Sequence, residues 1–148
     1  MPGELRPFAE RLLAWYDQHG RSDLPWQHPR TPYRVWISEV MLQQTQVKTV
    51  IPYFERWMRS FKDVESLAAS QIDDVLSHWS GLGYYARARN IHKTAKICVY
   101  KHGGTLPATS DELAALPGIG VSTANAIVSK STDRPMAVLD GNVRRLLA

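Results

Sequence analysis

The chain is predicted to be all-α, and three observations carry that reading. Apolar residues recur at three- and four-residue spacings along most of the sequence, no stretch alternates convincingly with period two, and glycine or proline separates the periodic runs. Leu5, Phe8, Leu12 and Trp15 share one helical face, and Gly20 is a plausible stop. From Ser22 to Pro32, three prolines and little periodicity indicate a loop. Pro32 can occupy a first helical turn. Val35, Trp36, Val40, Val47, Val50, Ile51 and Phe54 then carry a helix to about Ser60, unless Pro52 splits it. Shorter helices are expected at 64–69 and 71–79, the second with Asp73 and Asp74 near its N-terminus. Gly81-Leu82-Gly83 reads as a turn. A basic helix follows from Tyr84 to about Lys101, stopped by Gly103-Gly104. Segments 110–115 and 122–130 flank the run Leu116-Pro117-Gly118-Ile119-Gly120, and Ala137-Val138-Leu139 reads as a short extended piece. Gly141 to Ala148 looks like a helix beginning, with Asp140 as its N-cap candidate. Nothing follows to cover Val143, Leu146 and Leu147, so the chain reads as cut.

Composition narrows the classes. A length of 148 residues with a 44% hydrophobic share suits one globular domain with a real core. A net charge of +4 suits a polyanionic partner without requiring one. The single cysteine, Cys98, excludes an internal disulfide and cannot build a zinc or iron–sulfur site; within a helical apolar pattern it reads as a small buried hydrophobe. No stretch approaches the ~20 apolar residues of a membrane span. The N-terminus lacks a signal-peptide core, so an intracellular protein is expected. The five histidines (19, 28, 78, 92 and 102) show no ligand spacing.

Four segments could carry chemistry. The run 116–120 places two glycines in a tight loop before a helix, where exposed backbone N–H groups suit one phosphate of a nucleic acid. In 36–45, Glu39 and Gln43 lie four apart, beside the apolar stripe. A carboxyl beside apolar surface is a candidate proton donor, although a solvated helix glutamate fits the same spacing. Asp140 is a second carboxylate: either a plain helix cap or the partner that glycosidic-bond cleavage requires, one acid protonating the leaving group and one stabilising a cationic sugar. In 81–90, two tyrosines beside a flexible turn and two arginines after it fit base stacking and phosphate contact, or an ordinary turn and a solvated basic helix. Leu24-Pro25-Trp26-Gln27 could wall a pocket or pack into the core.

These motifs in this order resemble the helix-hairpin-helix DNA glycosylases, and among them the MutY-type adenine glycosylases. The resemblance runs from about Leu12 to Ala148, and its most specific strings are 38–47 and 81–90. It implies a six-helix barrel-type domain over 23–134, with the hairpin at 111–130. Residues 1–22 and 135–148 would be N- and C-terminal pieces of a truncated second helical domain, the one that binds iron–sulfur. It further implies removal of adenine opposite 8-oxoguanine or guanine in duplex DNA, with the adenine flipped out of the stack.

On this resemblance Glu39 would protonate adenine N7 and handle the water, while Asp140 would stabilise the sugar cation. Leu24, Trp26, Gln27 and Ser122 would line the adenine pocket. Gln44 and Tyr84 would fill the stack, and Gln43, Thr45, Arg87, Arg89, Gly118, Gly120 and Asn142 would complete the DNA surface. The lyase branch carries, two residues after the second hairpin glycine, a lysine that forms a Schiff base; here that residue is Ser122, which implies a monofunctional hydrolase. Ser122 also reads as a helix N-cap.

The family continues beyond residue 148 with four cysteines that bind a [4Fe–4S] cluster, and this chain, with no metal site of its own, would be the N-terminal catalytic part. Leu5, Phe8, Leu12 and Trp15 would then lack most of their cover, favouring poor folding in isolation. Lys130 stands where the family has an apolar residue. The expected setting is a monomeric, cytoplasmic, nucleoid-associated bacterial enzyme with no membrane partner. An endonuclease III-like glycosylase/lyase and a catalytically inactive DNA-binding fragment are the alternatives.

Overall fold

A computed structural model describes residues 24–27 and 29–131. The expected N-terminal helix with its Gly20 stop, the extended piece at 137–139, Asp140 and Asn142 lie outside the described residues, as do the flanking pieces 1–22 and 135–148. A single 3-10 turn at Pro25–Gln27 is followed by α1 (Pro32–Leu42), α2 (Val47–Ser60), α3 (Val64–Ala69), α4 (Ile72–Trp79), α5 (Ala86–Lys101), α6 (Ser110–Ala114) and α7 (Val121–Lys130). No strand occurs among the described residues.

Local chemistry starts these helices. Pro32 sits at the start of α1, and the Thr31 side chain accepts from the Arg34 N–H. The Asp63 side chain accepts from the Ser66 N–H at 2.7 Å. That bond holds its carboxyl below the usual range. Thr109 accepts from the Glu112 N–H as the N-cap of α6, and its hydroxyl donates to Glu112 Oε1 at 2.9 Å.

The core follows from the periodic positions. α1 is nearly engulfed: Tyr33, Val35, Trp36, Ile37, Ser38, Val40 and Met41 are all buried. It packs against α2, α7 and the 3-10 turn. A second layer sets α3 and α4 along α5, while α6 and α7 form a hairpin. Aromatic edges knit the layers: Trp57 lies 4.9 Å from Phe61 and 5.8 Å from Trp79, and Trp26 lies 5.4 Å from Phe54. Cys98 is fully buried, as its apolar neighbours suggest.

One expectation is corrected. The single helix from Pro32 towards Ser60 breaks, but at Gln43–Gln46 and not at Pro52, which lies inside α2. Pro52 is exposed, so the Lys48 carbonyl that its missing N–H leaves free faces water. At the true break, the Gln43 N–H bonds to the Val40 carbonyl, and Gln44 takes a left-handed conformation with φ 60°.

Two tests address this core. Buried Tyr33 donates from Oη to the Phe61 carbonyl and accepts from Trp57 Nε1 at 3.1 Å. Tyr33→Phe strands both partners and lowers unfolding free energy by about 1–3 kcal/mol, read from denaturant midpoints. Burial pushes the Cys98 thiol up from 9.0 to about 11. In mildly alkaline buffer it therefore reacts with an aromatic disulfide about two orders of magnitude more slowly than in urea-unfolded chain.

Candidate active site and nucleic-acid surface

α1 buries all but a narrow strip, and Glu39 stands on that strip with its side chain 19% exposed. Because α7 packs along α1, the strip faces the start of the hairpin's second helix. Between them lies a cavity of about 490 Å³ lined by Glu39, Leu42, Gln43, Ser122, Thr123, Ala126 and Lys130. That volume leaves ample room for a heterocyclic base. Gln43 Nε2 donates to Thr123 Oγ1 at 3.3 Å across its wall. Glu39 and Ser122, far apart in sequence, therefore share one cavity.

Sequence reasoning did not foresee the partner of Glu39. Lys130, the last residue of α7, donates from Nζ to Glu39 Oε1 at 2.7 Å. The lysine is 61% exposed, so the pair sits at the cavity mouth. The only signal was a lysine at 130, where the resemblance implies that an apolar residue is usual.

The hairpin loop is braced from behind by α5. Gly118 adopts φ +76°, and a Cβ there would stand 2.8 Å from the Asn90 Cβ, so only glycine allows the approach. Thr94 Oγ1 donates to the Pro117 carbonyl at 2.9 Å. Gly120 is the N-cap of α7 and has open space around its Cα. No side chain caps that end, so its first N–H groups point outward unused. The reading of Ser122 as an N-cap is thereby corrected: Gly120 holds that position, and Ser122 lies one residue inside the helix with its side chain exposed.

On the other side of α1, the turn before α5 presents Tyr84, 67% exposed and at φ 50°, with Tyr85 beside it. Gln44 is exposed at the end of α1, with Thr45 half-buried next to it. Arg89 is exposed on α5. Arg87 turns inward, donating from Nη1 to the carbonyls of Val40 (2.7 Å) and Gln43 (2.6 Å) and from Nη2 to those of Leu82 (3.3 Å) and Gly83 (3.2 Å). Leu24 and Trp26 are buried against the core, and neither they nor Gln27 line the cavity beside Glu39. The Gln27 Oε1 is buried without a partner.

The residues present do not fit an iron–sulfur cluster. The one thiol of the chain is enclosed in α5, and no grouping of three or more metal-ligating side chains occurs among the described residues. No described helix is long and apolar enough to cross a membrane.

Comparison with known proteins bears on this geometry. A family profile described as HhH-GPD superfamily base excision DNA repair protein matches residues 37–148. A protein of Buchnera aphidicola subsp. Baizongia pistaciae named adenine DNA glycosylase is 51% identical over 140 residues, covering 95% of this chain and 40% of that one. A protein of the same name from Mus musculus is 45% identical over 153 residues, covering 97% and 30%. The chain thus spans less than half the length of these relatives. An endonuclease III trapped as a covalent intermediate with DNA superposes with TM-score 0.64 at 28% identity, over 68% of this chain and 48% of that one. A thermostable thymine-DNA glycosylase shares the fold at TM-score 0.69 and 24% identity, over 85% and 58%. With three quarters of its length under the family profile, the chain belongs to the HhH-GPD superfamily of base excision DNA repair proteins.

Proposed function

We propose that the chain is the adenine-excising part of a mismatch DNA glycosylase, acting on adenine opposite 8-oxoguanine or guanine in duplex DNA. The observation that carries the reading is the shared cavity: one carboxyl, Glu39, reaches the same space as the first turn of α7 in the hairpin, with room for a base. The relatives named adenine DNA glycosylase support it.

In this reading the target adenine leaves the stack because its reacting atoms are unreachable inside a duplex. Gln44 and Tyr84, both exposed, fill the space it vacates. The outward N–H groups around Gly118 and Gly120 grip a phosphate beside the extruded nucleotide. Glu39 delivers a proton to adenine N7, which turns the base into a neutral leaving group, and the glycosidic electron pair departs with it. Asp140, outside the described residues, stabilises the sugar cation until water adds to C1′. Ser122 offers a hydroxyl where an imine-forming amine would stand, so the strand stays intact.

The ion pair favours a second reading, a fragment that binds DNA without catalysis. Lys130 occupies Oε1, one of the two Glu39 oxygens that could serve adenine N7.

Incubation with a duplex carrying adenine opposite 8-oxoguanine, followed by alkali, separates these readings. The expected result is strand breaks only after alkali, reduced about 100-fold or more in Glu39→Gln, the scale of a lost general acid. Salt-sensitive binding with no breaks would replace catalysis by the fragment reading. Breaks before alkali would point to the lyase. Lys130→Leu frees Glu39; since an exposed ion pair contributes about 0.2–1 kcal/mol, single-turnover release rises up to about fivefold.

A further inference from the structure

We propose that Arg87 is a positioning residue that sets Gln44 and Tyr84 as one paired wedge, and that it makes no contact with DNA. The inference rests on the reading that those two side chains enter the stack.

Four of the five N–H groups of this guanidinium are satisfied within the protein. The four Nη hydrogens go to four carbonyls, two in the last turn of α1 and two in the 81–83 turn. Nε is buried and unpartnered, out of reach of any phosphate. A phosphate contact would require the clamp to open.

The choice of carbonyls is what links the clamp to the wedges. Gln44 and Tyr84 are the two non-glycine residues with positive φ among those described, at 60° and 50°. The Gln43 carbonyl belongs to the peptide unit entering Gln44, and the Gly83 carbonyl to the one entering Tyr84. One planar cation therefore orients the peptide plane in front of each strained residue. The guanidinium also lies over the Tyr84 ring at 5.7 Å and the Trp79 ring at 5.1 Å. Trp79 Nε1 donates to the same Gly83 carbonyl at 2.9 Å, closing the arrangement from beneath. A lysine has the charge but not the planar fork, so it cannot hold both turns.

The test uses the full 148-residue chain and a duplex with 2-aminopurine beside an adenine–8-oxoguanine pair, whose fluorescence rises when the stack is opened. In Arg87→Lys the fluorescence rise is lost, and preference for the lesion duplex falls about tenfold or more, the scale of one lost base stack. The slope of log affinity against log salt stays unchanged. In a Tyr84→Ala background Arg87→Lys has little further effect, because the wedge it positions is gone.

A slope less negative by about 0.9, with lesion preference kept, would make Arg87 a phosphate contact and overturn the proposal. Should Arg87→Lys fail to fold, guanidinium NMR of the unaltered chain decides. Arg87 Nη protons that exchange at the same rate with and without duplex support the clamp, and protons newly protected by DNA overturn it. If the unaltered chain gives no fluorescence rise on the lesion duplex, the wedge reading itself falls. A rise that persists in Arg87→Lys removes only the positioning role.

Discussion

The near-complete burial of α1 is the constraint on which the rest of this molecule depends. Seven of its eleven residues are removed from water, and α2, α7 and the 3-10 turn close around it. Such a helix has almost no freedom to rotate, because any turn about its axis would expose Trp36, Ile37 or Met41. The strip that reaches the surface is what remains, and Glu39 lies on it. The acid is thus placed by the packing of its neighbours, and the same packing delivers α7, whose Lys130 then pairs with it, to its side.

A central helix of this kind must end somewhere, and its end is unusual. There is no glycine at 43–46, yet Gln44 takes a left-handed conformation that costs about 1–2 kcal/mol in an ordinary residue. The carbonyls of Val40 and Gln43 at this helix C-terminus accept from a guanidinium on α5. Strain at Gln44 and Tyr84 is therefore carried by charge-assisted bonds to one side chain. Two exposed residues in sparsely populated conformations, their preceding peptide units held by one side chain, suit the proposed role of entering a duplex.

Much of this was legible beforehand. Glycine pairs and apolar spacing located α3 to α7 within a few residues, and the flanks of 116–120 became a helical hairpin. Local chemistry decides those boundaries, so local sequence reveals them. The break at Gln43 was not legible, since its cause, Arg87, is more than forty residues away and no breaker stands at the site. Pro52 misled for the opposite reason: a real breaker is tolerated where its orphaned carbonyl meets water. Glu39 stood out by its place beside the apolar stripe. Its pairing with Lys130 depends on how α1 and α7 cross, which no periodicity encodes. Leu24 and Trp26 illustrate the remaining ambiguity, because an apolar loop reads alike whether it walls a pocket or fills a core. Asp140 and Asn142 lie outside the described residues.

The bracing of the hairpin by Asn90 and Thr94 has a mechanical side. Those residues stand on the helix whose first turn supplies Arg87, so the proposed wedge and the proposed phosphate loop hang from a single rod. From Arg87 to Thr94 the rod measures about 10 Å at the usual rise. A rigid gauge of that length cannot accommodate a partner by flexing. On the proposed reading, a duplex seated at both ends must itself buckle, and stiff, well-paired steps resist buckling more than weakened ones. On that reading, discrimination between sound and damaged stretches begins before any base is inspected.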